Sequence, residues 1–211
     1  MKLASIALLL AATAYGADIP LSNLAITNAK IEGTTYHGFS ALKMTSIDGT
    51  HEAIATIPSL TFRDGTIDVE VSGAPVKGAA DSARGFIGII FRQQKSSKPF
   101  EIIYIRPTNG RAEDQLRRNH TVQYSSDPDW PWDRLRKESP GMYESYADMQ
   151  AGEWTHMRIV VKGHDAALYI NHADQPCLLV HDLKLGETQG AVALWIGSDT
   201  EGYFRDLKIT N

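Results

Sequence analysis

The chain has 211 residues, of which 43% are hydrophobic and 22% charged, an ordinary globular composition. Lys and Arg number 21 against 25 Asp and Glu, a net charge of -4, so no chain-wide field gathers nucleic acid or an anionic membrane surface, and any polyanion site must be local. Cys177 is the single cysteine, which excludes an intramolecular disulfide, CxxC redox chemistry and a Cys-rich zinc site.

The first residues are Met1 and Lys2, then the apolar run LASIALLLAATA, then Tyr15 and Gly16. This is the layout of a secretory signal peptide, with cleavage predicted after Gly16 and with Ala14 and Gly16 in the two small-residue positions. The run is too short to span ~30 Å of hydrocarbon, which needs about 20 residues. Residues 17–211 are therefore predicted to form a single exported domain, periplasmic or extracellular, that makes no membrane contact after cleavage. A disulfide-free exported chain suits a bacterial periplasm. Asn119-His120-Thr121 is a formal glycosylation sequon that matters only in a eukaryote.

Past the leader the dominant period is two. EAIATI from Glu52 is a strand candidate, and in GTIDVEVSG the residues Ile67, Val69 and Val71 share one face while Thr66, Asp68 and Glu70 share the other. ARGFIGIIFR and FEIIYIRP are richer in apolar residues and read as central strands. EWTHMRIVVKG and AALYINH follow, joined by a predicted tight hairpin at Gly163-His164-Asp165, and then PCLLVHD, GAVALWIG and EGYFRDLKIT. Many short strands divided by turn residues predict an all-β, two-sheet antiparallel β-sandwich or a barrel. The stretch 106–149 departs from this pattern: it holds six of the eleven arginines within 31 residues, together with Trp130, Trp132, Tyr124, Tyr143 and Tyr146. Pro107, Pro128, Pro131 and Pro140 make it read as a long Arg/Trp-rich loop insertion, with a helical turn or two in AEDQLRRN and DRLRK.

From about Ser59 to Ile209 the chain resembles the concanavalin A-like lectin/glucanase superfamily, and within it the 3-keto-disaccharide hydrolase-type domains. GFIGIIFR followed by FEIIYIR resembles that family's central strand pair, GEWTHMRIVVKGHDAALYINH its Trp-led strand and hairpin, and GAVALWIG with YFRDLKI its two closing strands. The resemblance implies a jelly-roll sandwich that takes carbohydrate on the concave face of one sheet. Two departures bear on chemistry. The carboxylate run of laminarinase-like glucanases is missing, and the tyrosine-lysine-glycine motif of jelly-roll alginate lyases is absent although Arg111, Gln123, His120 and Tyr124 supply the lyase residue types.

The candidate site residues, Tyr104 apart, come from the stretch 106–149. Trp130 and Trp132 flank Pro131, and indoles held outward there would stack on the C-H faces of sugar rings; equally, they would lock the segment onto the sandwich. Trp154 and Trp195, on strands with apolar neighbours, are predicted to be core. Arg106, Arg111 and Arg117 offer paired donors for hydroxyls, carboxylates or phosphates, or pair internally with the acidic residues around them. Tyr104, Tyr124 and Tyr143 complete the predicted substrate-binding set. Among the acid/base candidates Glu113, Asp114, His120 and Glu144, the catalytic assignment falls on Glu113 and His120. His156, His164, His172 and His181 show no H-x-H or H-E-x-x-H spacing, so neither a metal nor a cofactor is predicted. The leading reading is an exported carbohydrate-active protein that cleaves a glycosidic bond, with a 3-keto sugar as the implied substrate. A non-catalytic lectin-like module, a polysaccharide lyase and a purely structural sandwich remain as alternatives.

Overall fold

The computed structural model describes residues 15–16, 23–95 and 98–211. Fifteen strands are defined among these residues: β1 (Tyr15–Gly16), β2 (Ala25–Thr27), β3 (Ala29–Tyr36), β4 (Phe39–Ser46), β5 (Ala53–Phe62), β6 (Gly65–Pro75), β7 (Ile87–Gln93), β8 (Phe100–Ile105), β9 (Val122–Asp127), β10 (Glu144–Ser145), β11 (Thr155–Lys162), β12 (Asp165–Ile170), β13 (Leu178–Val180), β14 (Gly190–Ile196) and β15 (Thr200–Thr210). Every pairing is antiparallel. One sheet, here sheet A, runs β13-β12-β11-β6-β15-β4-β3, with β1 beside the end of β15; the other, sheet B, runs β10-β9-β8-β7-β14-β5-β2. The result is a two-sheet jelly-roll sandwich, as the alternating pattern predicts. The predicted leader lies outside the described residues apart from Tyr15 and Gly16, whose backbone pairs with Ile209 and Lys208.

The period-two pattern explains the core. Ile67, Val69 and Val71 of β6 and Met157, Ile159 and Val161 of β11 are each at most 2% exposed, and they face Ile87, Ile89, Phe91, Ile103 and Ile105 of sheet B across the interior. Burying each such side chain contributes about 1.5–3 kcal/mol. The predicted hairpin forms with Gly163 and His164 between the paired residues Lys162 and Asp165, and Gly163 takes φ 59°.

The stretch 106–149 is not the long loop that its prolines and arginines predict. Val122–Asp127 forms β9, a full member of sheet B, and helices α1 (Gln115–Asn119) and α2 (Trp132–Glu138) fold on either side of it in the chain. β9 escapes a hydrophobic reading because its inward Tyr124 and Ser126 serve a polar network. The fully buried Tyr124 donates its hydroxyl proton to Glu101 Oε2, and Glu101 Oε1 accepts the Leu185 N–H at 2.8 Å.

Candidate functional site

On β8, Glu101, Ile103 and Ile105 point inward, so Phe100, Ile102 and Tyr104 must point out. The same alternation turns Ile54 of β5, Ile90 of β7, and Ala193 and Trp195 of β14 to the outer face of sheet B, where Phe86 packs against them as a second apolar cluster. Gly88 makes this floor possible. It pairs with Tyr104 on one side and Trp195 on the other, and a Cβ at Gly88 would meet Tyr104 Cβ at 2.5 Å. Without one, the two rings tilt together over it with centroids 5.1 Å apart. The Trp195 indole N–H donates to Glu52 Oε2 at 2.8 Å, which fixes its edge.

Pro131 precedes α2 with φ -66° and sets Trp132 at the first helical position, 45% exposed, as a wall beside this floor. Trp132, Phe86 and Ser198 are shared by two depressions. One, of about 480 Å³, lies over Phe100, Ile102, Tyr104 and Trp195; the other, of about 650 Å³, is lined by Arg84, Arg106, Arg117, Arg136 and His120, with Asp114 and Asp199 at its edge. The groove is apolar at one end and rich in guanidinium groups at the other.

Arg106 is the hinge between the two ends. Only 5% exposed, it donates from Nη1 to the His120 carbonyl at 3.0 Å and from Nη2 to Tyr104 Oη at 2.9 Å and Gln123 Oε1 at 3.2 Å. Its guanidinium lies 4.9 Å from the Tyr104 ring centre and 5.9 Å from that of Trp132. Burial pushes the Tyr104 hydroxyl up to about 12, so the phenol keeps its proton at neutral pH. Burial also pulls Arg106 below its ordinary value, yet a guanidinium remains a cation.

Behind Arg106 stands a charged triplet. Glu144 of β10 is held by Arg136 of α2 through two parallel contacts, Nε to Oε1 at 3.0 Å and Nη2 to Oε2 at 2.7 Å. His120 Nδ1 lies 2.8 Å from Glu144 Oε2, but the ring is not aligned for a hydrogen bond, and Nδ1 is buried with no hydrogen-bond partner. The contact is a close approach that becomes an ion pair when the ring is protonated. Burial lowers the His120 pKa, the Glu144 charge opposes this, and Arg136 and Arg106 add to the lowering. The imidazole is thus neutral at neutral pH and able to accept a proton. Titration of the His120 ring by NMR is expected to give a midpoint below the ordinary 6.5, and Glu144→Gln is expected to lower it further by removing the opposing charge. A rise in the variant would contradict this electrostatic account.

Tyr104, Arg106, Trp132 and His120 are thus brought together, and Arg117 lines the charged depression while donating to Asn109 Oδ1 at 2.8 Å and Thr108 Oγ1 at 3.1 Å. Apart from Asp114, which lines the charged depression, and Glu144 beside His120, the other candidates lie elsewhere. Tyr124 and Tyr143 belong to the interior, where the Tyr143 hydroxyl donates to Asp182 at 2.7 Å and accepts from Lys184. Trp130 packs on the core under Arg134 and Lys184. Arg111 is exposed and pairs with Asp148 and Gln150, Glu113 is exposed and lines neither depression, and Asp114 caps α1 by accepting the Arg117 N–H at 2.9 Å. Trp195, predicted to be core, is buried at 8% exposure in this second apolar cluster and also lines the groove; the apolar residues on both faces of GAVALWIG were the signal for an apolar outer face. Phe86, Arg84 and Arg136 carried no signal, because only the fold places them beside Trp132.

Neither a protein family nor a curated protein sequence matches the chain. Solved structures do. The chain is similar to the carbohydrate binding module CBM66 from Bacillus subtilis, with TM-score 0.57 and 14% identity over 87% of this chain and 96% of that one. It is similar to a protein of unknown function with a galectin-like fold from Bacillus subtilis, with TM-score 0.53 and 12% identity over 86% and 87% of the two chains. The carbohydrate recognition domain of Emp46p is also similar, with TM-score 0.53 and 13% identity over 90% and 88%. These likenesses show the fold, a two-sheet antiparallel β-sandwich of galectin-like architecture.

Proposed function

We propose that this is an exported carbohydrate-binding protein that lays a saccharide along the outer face of sheet B. One observation carries the reading: an aromatic floor of Tyr104 and Trp195, walled by the half-exposed Trp132, runs directly into a cluster of guanidinium groups around Arg106. Aromatic faces take the C-H side of a pyranose, and fixed guanidinium forks take its vicinal hydroxyls or an acidic substituent. The fold supports the reading, since a carbohydrate binding module and a carbohydrate recognition domain are built on it. Each depression has the volume of a small-ligand site.

Glycoside cleavage is the second reading, favoured by the contact between His120 and Glu144 beside Arg106. On a 3-keto sugar the carbonyl acidifies the C-H at C2. Neutral His120 would take that proton, the C1–O bond would break with its electron pair leaving on the glycosidic oxygen, and the His120 proton would pass to that oxygen. Water adding to the resulting C1=C2 bond would complete hydrolysis, and Arg106 would stabilise the negative charge on the C3 oxygen.

The test is incubation of residues 17–211 with oxidised and unoxidised disaccharides and with uronate polysaccharides, following binding by calorimetry and products by mass and ultraviolet absorbance. Saturable binding without product is the expected result. Turnover of keto sugars that His120→Ala abolishes would establish cleavage, a persistent double bond from uronates would make the protein a lyase, and no binding at all would overturn the proposal.

A further inference from the structure

The outer face of sheet A carries a second cluster, remote in the fold from the groove on sheet B. Glu70 of β6 and His156 of β11 are direct cross-strand partners. His172, in the turn after β12, stacks on His156 with ring centroids 3.9 Å apart and planes 19° apart. The turn is fastened to β11 at both ends: the Asn171 N–H donates to the His156 carbonyl at 3.0 Å, and the His156 N–H donates to Asn171 Oδ1 at 3.1 Å. One ligand atom each from Glu70, His156 and His172 lies within 4.8 Å of the other two.

His156 supplies the decisive detail. Its Nε2 is 3.1 Å from Oδ1 of Asp68, two residues before Glu70 on the same face of β6. With its proton on Nε2, toward Asp68, the neutral ring carries its lone pair on Nδ1. Nδ1 is buried and has no hydrogen-bond partner. A buried polar atom without a partner is costly, and a cation would supply one. A carboxylate that holds one ring nitrogen while the other is free to ligate is the arrangement by which proteins orient metal-binding histidines.

We propose that Glu70, His156 and His172 bind a divalent transition-metal ion of the zinc type, with Asp68 orienting His156. Two imidazole nitrogens and one carboxylate make a three-ligand set, with a fourth position left to water. Arg205 stands 3.8 Å from Glu70 Oε2 through Nη2 and pairs with Asp206 through Nη1, and Arg158 and Lys208 are cross-strand partners of Asp68, so three cations are set against three carboxylates and the local charge is close to balanced. Affinity therefore rests on the nitrogens and not on a negative field, which disfavours calcium and magnesium with their demand for oxygen ligands. His172 is exposed, so its stacked ring can rotate until both imidazoles point at one ion.

The experiment is calorimetric titration of the EDTA-stripped full chain with Zn²⁺ at neutral pH, paired with thermal melts. One ion per chain is expected, with a Tm rise of roughly 5–10 °C at a hundredfold excess over Kd and no comparable rise with Ca²⁺ or Mg²⁺. His172→Ala, an exposed change that leaves the sandwich intact, should weaken Zn²⁺ about tenfold or more, as should Glu70→Gln. A His164→Ala, His181→Ala double variant should bind as the parent does. No uptake by the parent, uptake unaffected by His172→Ala and Glu70→Gln, or an equal response to Ca²⁺ would each overturn the assignment. Saccharide affinity is expected not to change with Zn²⁺, so failure here leaves the groove proposal standing.

Discussion

Trp132→Ala is expected to weaken saccharide binding about 30-fold, the equivalent of roughly 2 kcal/mol, while moving Tm by no more than a few degrees. The ring is 45% exposed at the head of α2 and forms the shared wall of both depressions. Arg136 and Arg106 lie 4.7 Å and 5.9 Å from its centre, so it is held in place before any ligand arrives and little rotamer freedom is lost on binding. Trp130, two residues earlier, is the matched control. It packs on the interior under Arg134, whose guanidinium is 3.8 Å from the ring centre. Trp130→Ala should therefore cost about 2 kcal/mol of stability, near 5 °C in Tm, and leave affinity within about twofold. Calorimetric titration of both variants, with thermal melts, separates the two roles. Equal loss of affinity in both would mean that Trp132 is not the platform.

The contrast shows what the sequence could and could not say. Alternation in GTIDVEVSG and EWTHMRIVVKG exposes a face to be buried, and both segments are strands of sheet A. β3 is AKIEGTTY at the sheet edge, largely polar and half exposed, so it carries no comparable apolar stripe. The site was less legible because cross-strand register is invisible in one chain. Tyr104 lies opposite Gln123 and so faces the groove, whereas Tyr124 lies opposite Ile103 and so faces the core. A shift of one residue would exchange them. Trp130 and Trp132 part for a similar reason: the first closes the turn after β9 through reciprocal backbone hydrogen bonds with Ser126, and the second already belongs to α2. The cluster on sheet A was hidden too, because Glu70, His156 and His172 are distant in sequence and meet only when β6, β11 and β12 lie side by side.

Arg92 of β7 and Glu101 of β8, on adjacent strands of sheet B, are fully buried charges, and the first sets the largest stability effect. Arg92→Ala is expected to cost about 3–5 kcal/mol, lowering Tm by roughly 10 °C. Arg92 is 0% exposed. Its Nε donates to the Arg63 carbonyl at 2.9 Å, Nη2 to the Gly163 carbonyl at 2.8 Å and to Asp64 at 3.1 Å, and Nη1 to the Gly186 carbonyl. One guanidinium thus fastens the β5–β6 turn, the β11–β12 hairpin and the approach to β14. Burial pulls Arg92 below its ordinary pKa while Asp64 and Glu101 pull it back. Truncation strands three carbonyls and leaves Asp64 with only the Gly163 N–H and the flanking Arg63. The backbone at Arg92 has φ 53°, so Arg92→Gly separates two contributions: it relieves the left-handed strain, about 1 kcal/mol, and still loses every side-chain bond. Arg92→Gly should therefore fall between the parent and Arg92→Ala in urea denaturation, closer to Arg92→Ala. Arg92 lines neither depression of the groove, so saccharide affinity of the folded fraction should be unchanged in both variants. Parent-like stability in Arg92→Gly would mean that the guanidinium merely tolerates its burial and that the three loops are held by their own packing.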